Sequence, residues 1–201
     1  MAKIIHKTRE EWLLAFTKAA FPQFANAGAP LKGVKLRVSI GFPSKGQRSK
    51  VIAECWHSTV SKDQHREIFL RPSLQSDALE IAAVLTHELI HAALPEGEGH
   101  GKLFGKAARA LGLTGKLTST EGGPAWKAWA EPIIKSLGAF PGAALGDGCT
   151  AEGGKKKQGT RMLKVSCSDC GWSFRTSQQN IDQITDHTCL ACSEGTLSTE
   201  G

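Results

Sequence analysis

Three histidines lie within fourteen residues of this 201-residue chain, in the stretch HELIHAALPEGEGHGKLF that starts at His87, and a glutamate follows the first of them. His87 and His91 bracket Glu88 and are four residues apart, so on an α-helix the two imidazoles would project side by side. Imidazoles placed in this way can both reach one metal ion at about 2 Å. Three protein ligands would leave a fourth position open to water, as in a catalytic zinc site. We therefore predict that His87 and His91 bind zinc.

The predicted third ligand is His100, and two carboxylates compete with it for this role. The helix must end after Leu94 if His100 is to return to the other imidazoles, and the segment PEGEG supplies a helix breaker and two glycines. The competing ligands are Glu96 and Glu98, which lie nearer the end of the helix. Zinc would lower the pKa of its bound water towards 7, and Glu88 would then act as the general base.

Four of the six cysteines form two C-x-x-C pairs: Cys167 with Cys170, and Cys189 with Cys192. Because the chain shows no secretory signal, we expect thiolate ligands rather than disulfides. The spacing is typical of a structural zinc site with four thiolates, a zinc ribbon. Alternatively, His187, two residues before Cys189, could replace one of the cysteines. A segment of about 35 residues buries too little core to fold alone, so the metal would supply the folding free energy. Two zinc ions are thus expected, one catalytic and one structural.

Capping signals and hydrophobic patterns predict the elements that position these residues. Thr8 and Glu11 form a capping box, so a first helix should run to about Phe24. Strand-like runs follow at 34–42, 49–57 and 65–72. An apolar, central helix is predicted at 77–94, and it carries His87 and His91. Further helices are predicted at 102–113 and 124–138, the last with a kink or break at Pro132. This pattern indicates an α+β fold.

Composition and charge divide the chain into two parts. Residues 141–160, rich in Gly, Ala and Lys, are predicted to be a flexible linker between a domain at 1–140 and a ribbon at 161–195. The net charge is +6, and residues 1–140 hold 19 Lys and Arg against 12 Asp and Glu. Such an excess favours a polyanionic partner, nucleic acid first. The alternative is a surface whose charge only confers solubility.

Candidate nucleic-acid contacts lie just before the ribbon and within it. Six cations could contact phosphates: Lys155, Lys156, Lys157, Arg161, Lys164 and Arg175. Trp172 and Phe174 alternate with Ser173 and could stack on unpaired bases. Alternatively, the two aromatic side chains fill the small core of the ribbon.

The histidine stretch resembles the SprT-like metalloprotease family, whose signature is H-E-x-x-H followed by G-H-G-x-x-F. The resemblance extends upstream to IFLRPSL and downstream to the C-terminal ribbon. It implies a zincin-like metalloprotease domain, with a small mixed sheet plus helices, followed by a zinc ribbon. The three histidines would bind zinc and Glu88 would be the general base, whereas Gly101 and Phe104 would be structural. In the Spartan-like branch it implies cleavage of proteins crosslinked to DNA, and hence DNA–protein crosslink repair.

We therefore expect a monomeric zinc endopeptidase that acts on DNA-bound or DNA-crosslinked proteins, with single-stranded or damaged DNA as its partner. The alternatives are a zinc peptidase for free proteins whose ribbon binds a protein, and a nucleic-acid-binding protein without peptidase activity. The chain contains no tyrosine, so a histidine, an arginine or a backbone N–H must stabilise the oxyanion.

The expected location is the cytoplasm, at the nucleoid or in a host cell if the chain is phage-encoded. No apolar run approaches the roughly 20 residues that span a bilayer, so no membrane partner is expected. The first residues, MAKIIHKTREEW, lack the pattern of a signal peptide.

Overall fold

The computed structural model describes residues 4–44, 46, 50–74, 77–145 and 162–199. It divides into two compact units, Met1–Asp147 and Gly148–Gly201. Helices and small sheets occur together, so the α+β class predicted from the sequence is confirmed. Within these ranges no helix combines the length and the hydropathy that spanning a bilayer would require. From residue 146 onwards, the predicted linker 141–160 lies outside the described residues.

The larger unit contains a mixed three-stranded sheet. Its strands are β1 (Leu36–Ile40), β2 (Ala53–Trp56) and β3 (Arg66–Leu70), in the order β1-β3-β2. β3 pairs parallel with β1 and antiparallel with β2, and a short 3-10 helix, Ser58–Val60, connects β2 to β3. β2 is therefore an edge strand, and each of the three strand-like runs in the sequence contains one strand.

The larger unit also contains four helices: α1 (Arg9–Asn26), α2 (Ala78–Ala93), α3 (Lys102–Ala110) and α4 (Pro124–Leu137). The predicted capping box opens α1, where the Glu11 N–H donates to the Thr8 hydroxyl at 3.1 Å. Asp77 caps α2, because its carboxylate accepts a hydrogen bond from the Leu79 N–H at 2.9 Å. These caps bond N–H groups that have no partner inside the helix.

α2 lies at the centre of the core because apolar side chains cover most of its surface. Ile81, Leu85 and Leu89 are buried, and each contributes roughly 1.5–3 kcal/mol on removal from water. Large aromatic side chains also belong to this core: Trp12, Phe16, Phe24, Phe104 and Trp126. The Trp126 indole N–H donates to the buried Thr86 hydroxyl at 3.0 Å, which fixes α4 on α2.

A β-hairpin that was not predicted lies between α3 and α4. It consists of β4 (Leu113–Lys116) and β5 (Ser119–Gly122), paired antiparallel. The predicted helix 102–113 was too long: α3 ends at Ala110, because Gly112 has a φ of +85° and a left-handed residue ends a helix. A Cβ at Gly112 would also collide with the backbone of Trp126. The chain can therefore turn back into a hairpin that packs on α2.

A kink or a break was predicted at Pro132; α4 continues through this residue, so the helix does not break there. Pro132 lacks the N–H that would bond the carbonyl of Ala128. Both residues are exposed, so water can bond that carbonyl instead.

The smaller unit is built on an antiparallel sheet of three strands, in the order β7-β6-β8. Its elements are β6 (Leu163–Cys167), β7 (Ser173–Thr176), a short helix α5 (Gln178–Ile181) and β8 (Leu197–Thr199). The buried apolar residues described in this unit are few: Val165, Cys167, Cys189 and Leu197. So small a core offsets little chain entropy, which leaves folding dependent on a further crosslink such as a metal.

Candidate metal centres

Arg66 of β3 caps the end of the helix that carries two of the histidines. Its guanidinium donates to the carbonyl oxygen of Leu94 at 2.8 Å and also to that of Ala92. These carbonyls have no partner within α2, and a cation at this end also complements the helix dipole. Arg66 thereby determines where the chain leaves α2 after His91.

The turn after α2 is held by the two carboxylates that were predicted to compete for the metal. The Thr59 hydroxyl donates to both carboxylate oxygens of Glu96 at 2.9 Å. Glu98 Oε1 accepts a hydrogen bond from the Leu103 N–H at 2.7 Å, at the start of α3. Both carboxylates are thus engaged elsewhere, and the cluster of possible metal ligands contains His100 in their place.

The Nε2 atoms of the three histidines converge on one point. Nε2 of His100 lies 3.1 Å from that of His87 and 3.2 Å from that of His91. Three nitrogens bound to a tetrahedral zinc ion at 2.0–2.1 Å would lie about 3.3–3.4 Å apart. The three imidazoles are therefore spaced to hold one metal ion.

Two further residues fix the imidazoles. Phe104 of α3 is fully buried, and its ring centroid lies 4.9, 4.5 and 4.8 Å from those of His87, His91 and His100. The Thr120 hydroxyl on β5 lies 2.8 Å from Nδ1 of His87, which leaves Nε2 for a metal. Thr120 was missed from the sequence, where only the β-branched alternation in LTSTE could have indicated its strand.

Burial keeps the imidazoles in the neutral form that binds metals. It lowers the pKa of His87 to about 4 and that of His91 to about 3, and it also lowers the pKa of His100. Burial likewise raises the pKa of Glu88 to about 8, and the negative charge of Glu54 adds to this effect. A bound dication would oppose that shift and favour the Glu88 carboxylate.

The histidines and Glu88 line an open cleft of about 680 Å³. Residues 50–55, which include the start of edge strand β2, and residues 118–120 of the hairpin also line it. An edge strand can accept an extended polypeptide by adding a strand to its sheet. Cys55 also lines the cleft, and burial, followed by the charge of Glu88, raises its pKa to about 12.

The four cysteines of the smaller unit form a second cluster that could hold a metal ion. Sγ of Cys167 lies 3.8 Å from that of Cys192, and Sγ of Cys170 lies 3.7 Å from that of Cys189. Thiolates 2.3 Å from a tetrahedral zinc ion would lie about 3.8 Å apart. The four sulfurs could therefore fill all four positions of one tetrahedral ion.

Backbone N–H groups stabilise the thiolate form of two of these cysteines, Cys167 and Cys192. Hydrogen bonds from the N–H groups of Glu194 and Gly195 lower the pKa of Cys192 to about 6. The N–H groups of Cys170 and Asp169 lower that of Cys167. These bonds require the chain to turn tightly around the sulfurs, and a Cβ at Gly195 would collide with Sγ of Cys167.

The predicted nucleic-acid contacts are only partly within the described residues. Four of the cations lie outside them: Lys155, Lys156, Lys157 and Arg161. Lys164 and Arg175 are direct partners across β6 and β7. Trp172 is 38% exposed, and its ring centroid lies 5.3 Å from that of Phe174, which packs against the small core. Of the two aromatic side chains, Trp172 is thus the more accessible to a partner.

Comparison of the chain with protein-family models, with curated proteins and with solved structures gave no match. The function must therefore be argued from the two clusters, the cleft and the charges around them.

Proposed function

We propose that this chain is a zinc-dependent endopeptidase of the SprT-like type, with a zincin-like domain and a zinc ribbon, that cleaves DNA-bound or DNA-crosslinked proteins. The observation that carries the proposal is the convergence of three imidazoles on one point beside the carboxyl group of Glu88, in a cleft lined by an edge strand. Three nitrogen ligands with an open fourth position are typical of catalytic zinc. The four-thiolate cluster fits structural zinc.

The proposed mechanism assigns proton transfer to Glu88. When bound, the metal ion would polarise the scissile carbonyl and lower the pKa of a water molecule in the cleft. Glu88, next to His87 in the chain, accepts the proton of that water and returns it to the leaving amine. Its burial keeps bulk water away from the carboxylate, since only 7% of the residue is exposed.

The oxyanion that develops during attack also needs a hydrogen-bond donor. Among the described residues that line the cleft, there is no arginine and no histidine beyond the three candidate ligands. Of the three possibilities left by the sequence, this lining favours a backbone N–H. The edge strand β2 brings such groups to the cleft.

A second candidate function is cleavage of free proteins, with the ribbon as a protein-binding module. One observation favours it: residues 162–199 carry two cations, Lys164 and Arg175, against four carboxylates. The described part of the ribbon therefore has little attraction for phosphates by charge alone.

The test compares the wild-type protein with Glu88→Gln, which keeps the shape of the side chain and removes the base. Each zinc-loaded protein is incubated with a DNA-binding protein, with and without single-stranded DNA, and cleavage is followed by mass spectrometry. We expect cleavage by the wild-type protein only, and faster cleavage with DNA. Equal cleavage by the Glu88→Gln variant would rule out the peptidase mechanism. Cleavage that DNA does not accelerate would favour the second candidate.

A further inference from the structure

Helix α3 carries an unusual set of charges. Its inner side is buried through Phe104, Gly105, Ala107 and Ala108. The exposed side carries Lys102, Lys106 and Arg109, which fall within an arc of about 60° and extend over about 10 Å of the helix. We name these three residues the α3 cationic face.

No carboxylate on α3 offsets this charge. α1 and α4 carry both signs, whereas α3 is the one helix of the described ranges with cations and no acidic residue. Like charges three and four residues apart repel one another, and Lys102 at the first turn opposes the helix dipole. Within the described ranges none of the three joins an ion pair, whereas Arg37 pairs with both Asp63 and Glu67. Of the three cations only Arg109, in the last turn, complements the helix dipole, so the fold does not account for Lys102 and Lys106.

The α3 cationic face adjoins the cleft. α3 begins two residues after His100, and a Cβ at Gly105 would lie 3.1 Å from the Leu117 side chain and 3.3 Å from the Arg109 guanidinium. Leu117 lies in the turn of the hairpin, whose next residues, 118–120, line the cleft. Lys116 at the end of β4 is exposed and adds a fourth cation beside this turn.

We propose that the α3 cationic face binds the phosphate backbone of single-stranded DNA and so places a DNA-bound substrate beside the cleft. The consequence for cleavage rests on the proposed peptidase function, whereas the binding itself does not. Successive phosphates lie a few ångströms apart along a strand, so three cations over about 10 Å can each meet one. The DNA contact is thereby assigned to the larger unit, next to the candidate catalytic site.

The test measures DNA binding by the full zinc-loaded chain. A fluorescently labelled single-stranded oligodeoxynucleotide is titrated at a series of NaCl concentrations, and affinity is read from fluorescence anisotropy. One variant combines Lys102→Gln, Lys106→Gln and Arg109→Gln. A matched control combines Lys18→Gln, Lys127→Gln and Lys135→Gln, which removes the same charge from exposed positions on α1 and α4.

The α3 variant should bind on the order of tenfold more weakly at low salt. The slope of log affinity against log salt should fall by about 2 in magnitude, at about 0.7 for each lost phosphate contact. The control should keep the wild-type slope. An α3 variant with the wild-type slope, or a control that loses as much, would overturn the proposal. Tight binding of polyglutamate in place of DNA would overturn it as well.

Two further comparisons keep the test decisive. If the circular dichroism of the triple variant differs from that of the wild type, a double variant, Lys102→Gln with Lys106→Gln, is measured instead. It keeps Arg109, and the slope of log affinity against log salt should then fall by roughly 1.4 in magnitude. Glu88→Gln should bind DNA like the wild type, so a failure of the peptidase proposal leaves this measurement intact.

Discussion

Replacing Thr120 by valine removes one hydrogen bond from the candidate metal site while the branched shape of the side chain is kept. The Thr120 hydroxyl lies 2.8 Å from Nδ1 of His87 and fixes which ring nitrogen faces the other two imidazoles. Without it, the proton of the neutral ring can move to Nε2, and that tautomer cannot offer Nε2 to a metal. We therefore expect Thr120→Val to weaken metal binding.

The size of the effect follows from the contacts of the two residues. Loss of a group that orients a metal-binding histidine lowers metal affinity about 10- to 100-fold, which is about 1.4–2.8 kcal/mol. Thr120 and His87 are both only half-buried, so water can replace the hydroxyl in part. We expect the lower end of that range, about tenfold.

The assay is a competition for Co²⁺ against a chromogenic chelator, because cobalt bound to nitrogen and cobalt bound to thiolates absorb differently. The ¹⁵N chemical shifts of the metal-free protein report the His87 tautomer. Thr120→Ser keeps the hydroxyl and should restore the affinity. Thr118→Val is the matched control, since Thr118 lines the same cleft and, among the described residues, bonds no imidazole. Wild-type affinity and an unchanged tautomer in Thr120→Val would refute the reasoning.

Further predictions concern the ligands, the thiols and pH. His100→Ala should lose one of the two bound zinc ions in elemental analysis while Glu98→Gln keeps both; the reverse result would make Glu98 the ligand. With its pKa raised to about 12, Cys55 should react with iodoacetamide near pH 8 about a thousandfold more slowly than an ordinary thiol, as read by mass spectrometry; rapid alkylation would contradict the burial. Because burial lowers the pKa values of His87 and His91, protons should not compete with the metal ion for these imidazoles as pH falls from about 7 to about 5. Loss of metal from the histidine site near the ordinary histidine pKa of about 6.5 would contradict this. Chelation should collapse the amide NMR signals of residues 162–199 and spare those of the larger unit; a spectrum that chelation leaves unchanged would show a ribbon that folds without metal.

Local signals were enough to predict the elements whose residues are close together in the chain. The capping box of Thr8 and the apolar pattern of α2 predicted both helices, and helical geometry then placed His87 and His91 side by side. The spacing of the C-x-x-C pairs likewise predicted the cysteine cluster. For the two helices the relevant contacts span a few residues, where the backbone conformation decides the geometry. The contacts of the cysteine cluster span 19 and 25 positions, and they were predictable because a tetrahedral thiolate site needs both C-x-x-C pairs.

Contacts between distant residues that belong to no such motif could not be predicted. Thr120 reaches His87 across 33 positions, and Arg66 reaches Leu94 across 28. Both contacts depend on how the hairpin and the sheet pack on α2. The end of α3 was also misjudged: Gly112 is left-handed, and the backbone of Trp126, 14 positions away, leaves no room for a Cβ there.

Anomalous X-ray diffraction at the zinc absorption edge, on crystals grown with zinc, tests most directly whether one ion lies between the three imidazoles. We predict one peak about 2.0–2.1 Å from Nε2 of His87, His91 and His100, and a second about 2.3 Å from the four cysteine sulfurs. A peak at the cysteines alone, with the ring of His100 turned away from the other two, would contradict the proposed catalytic site.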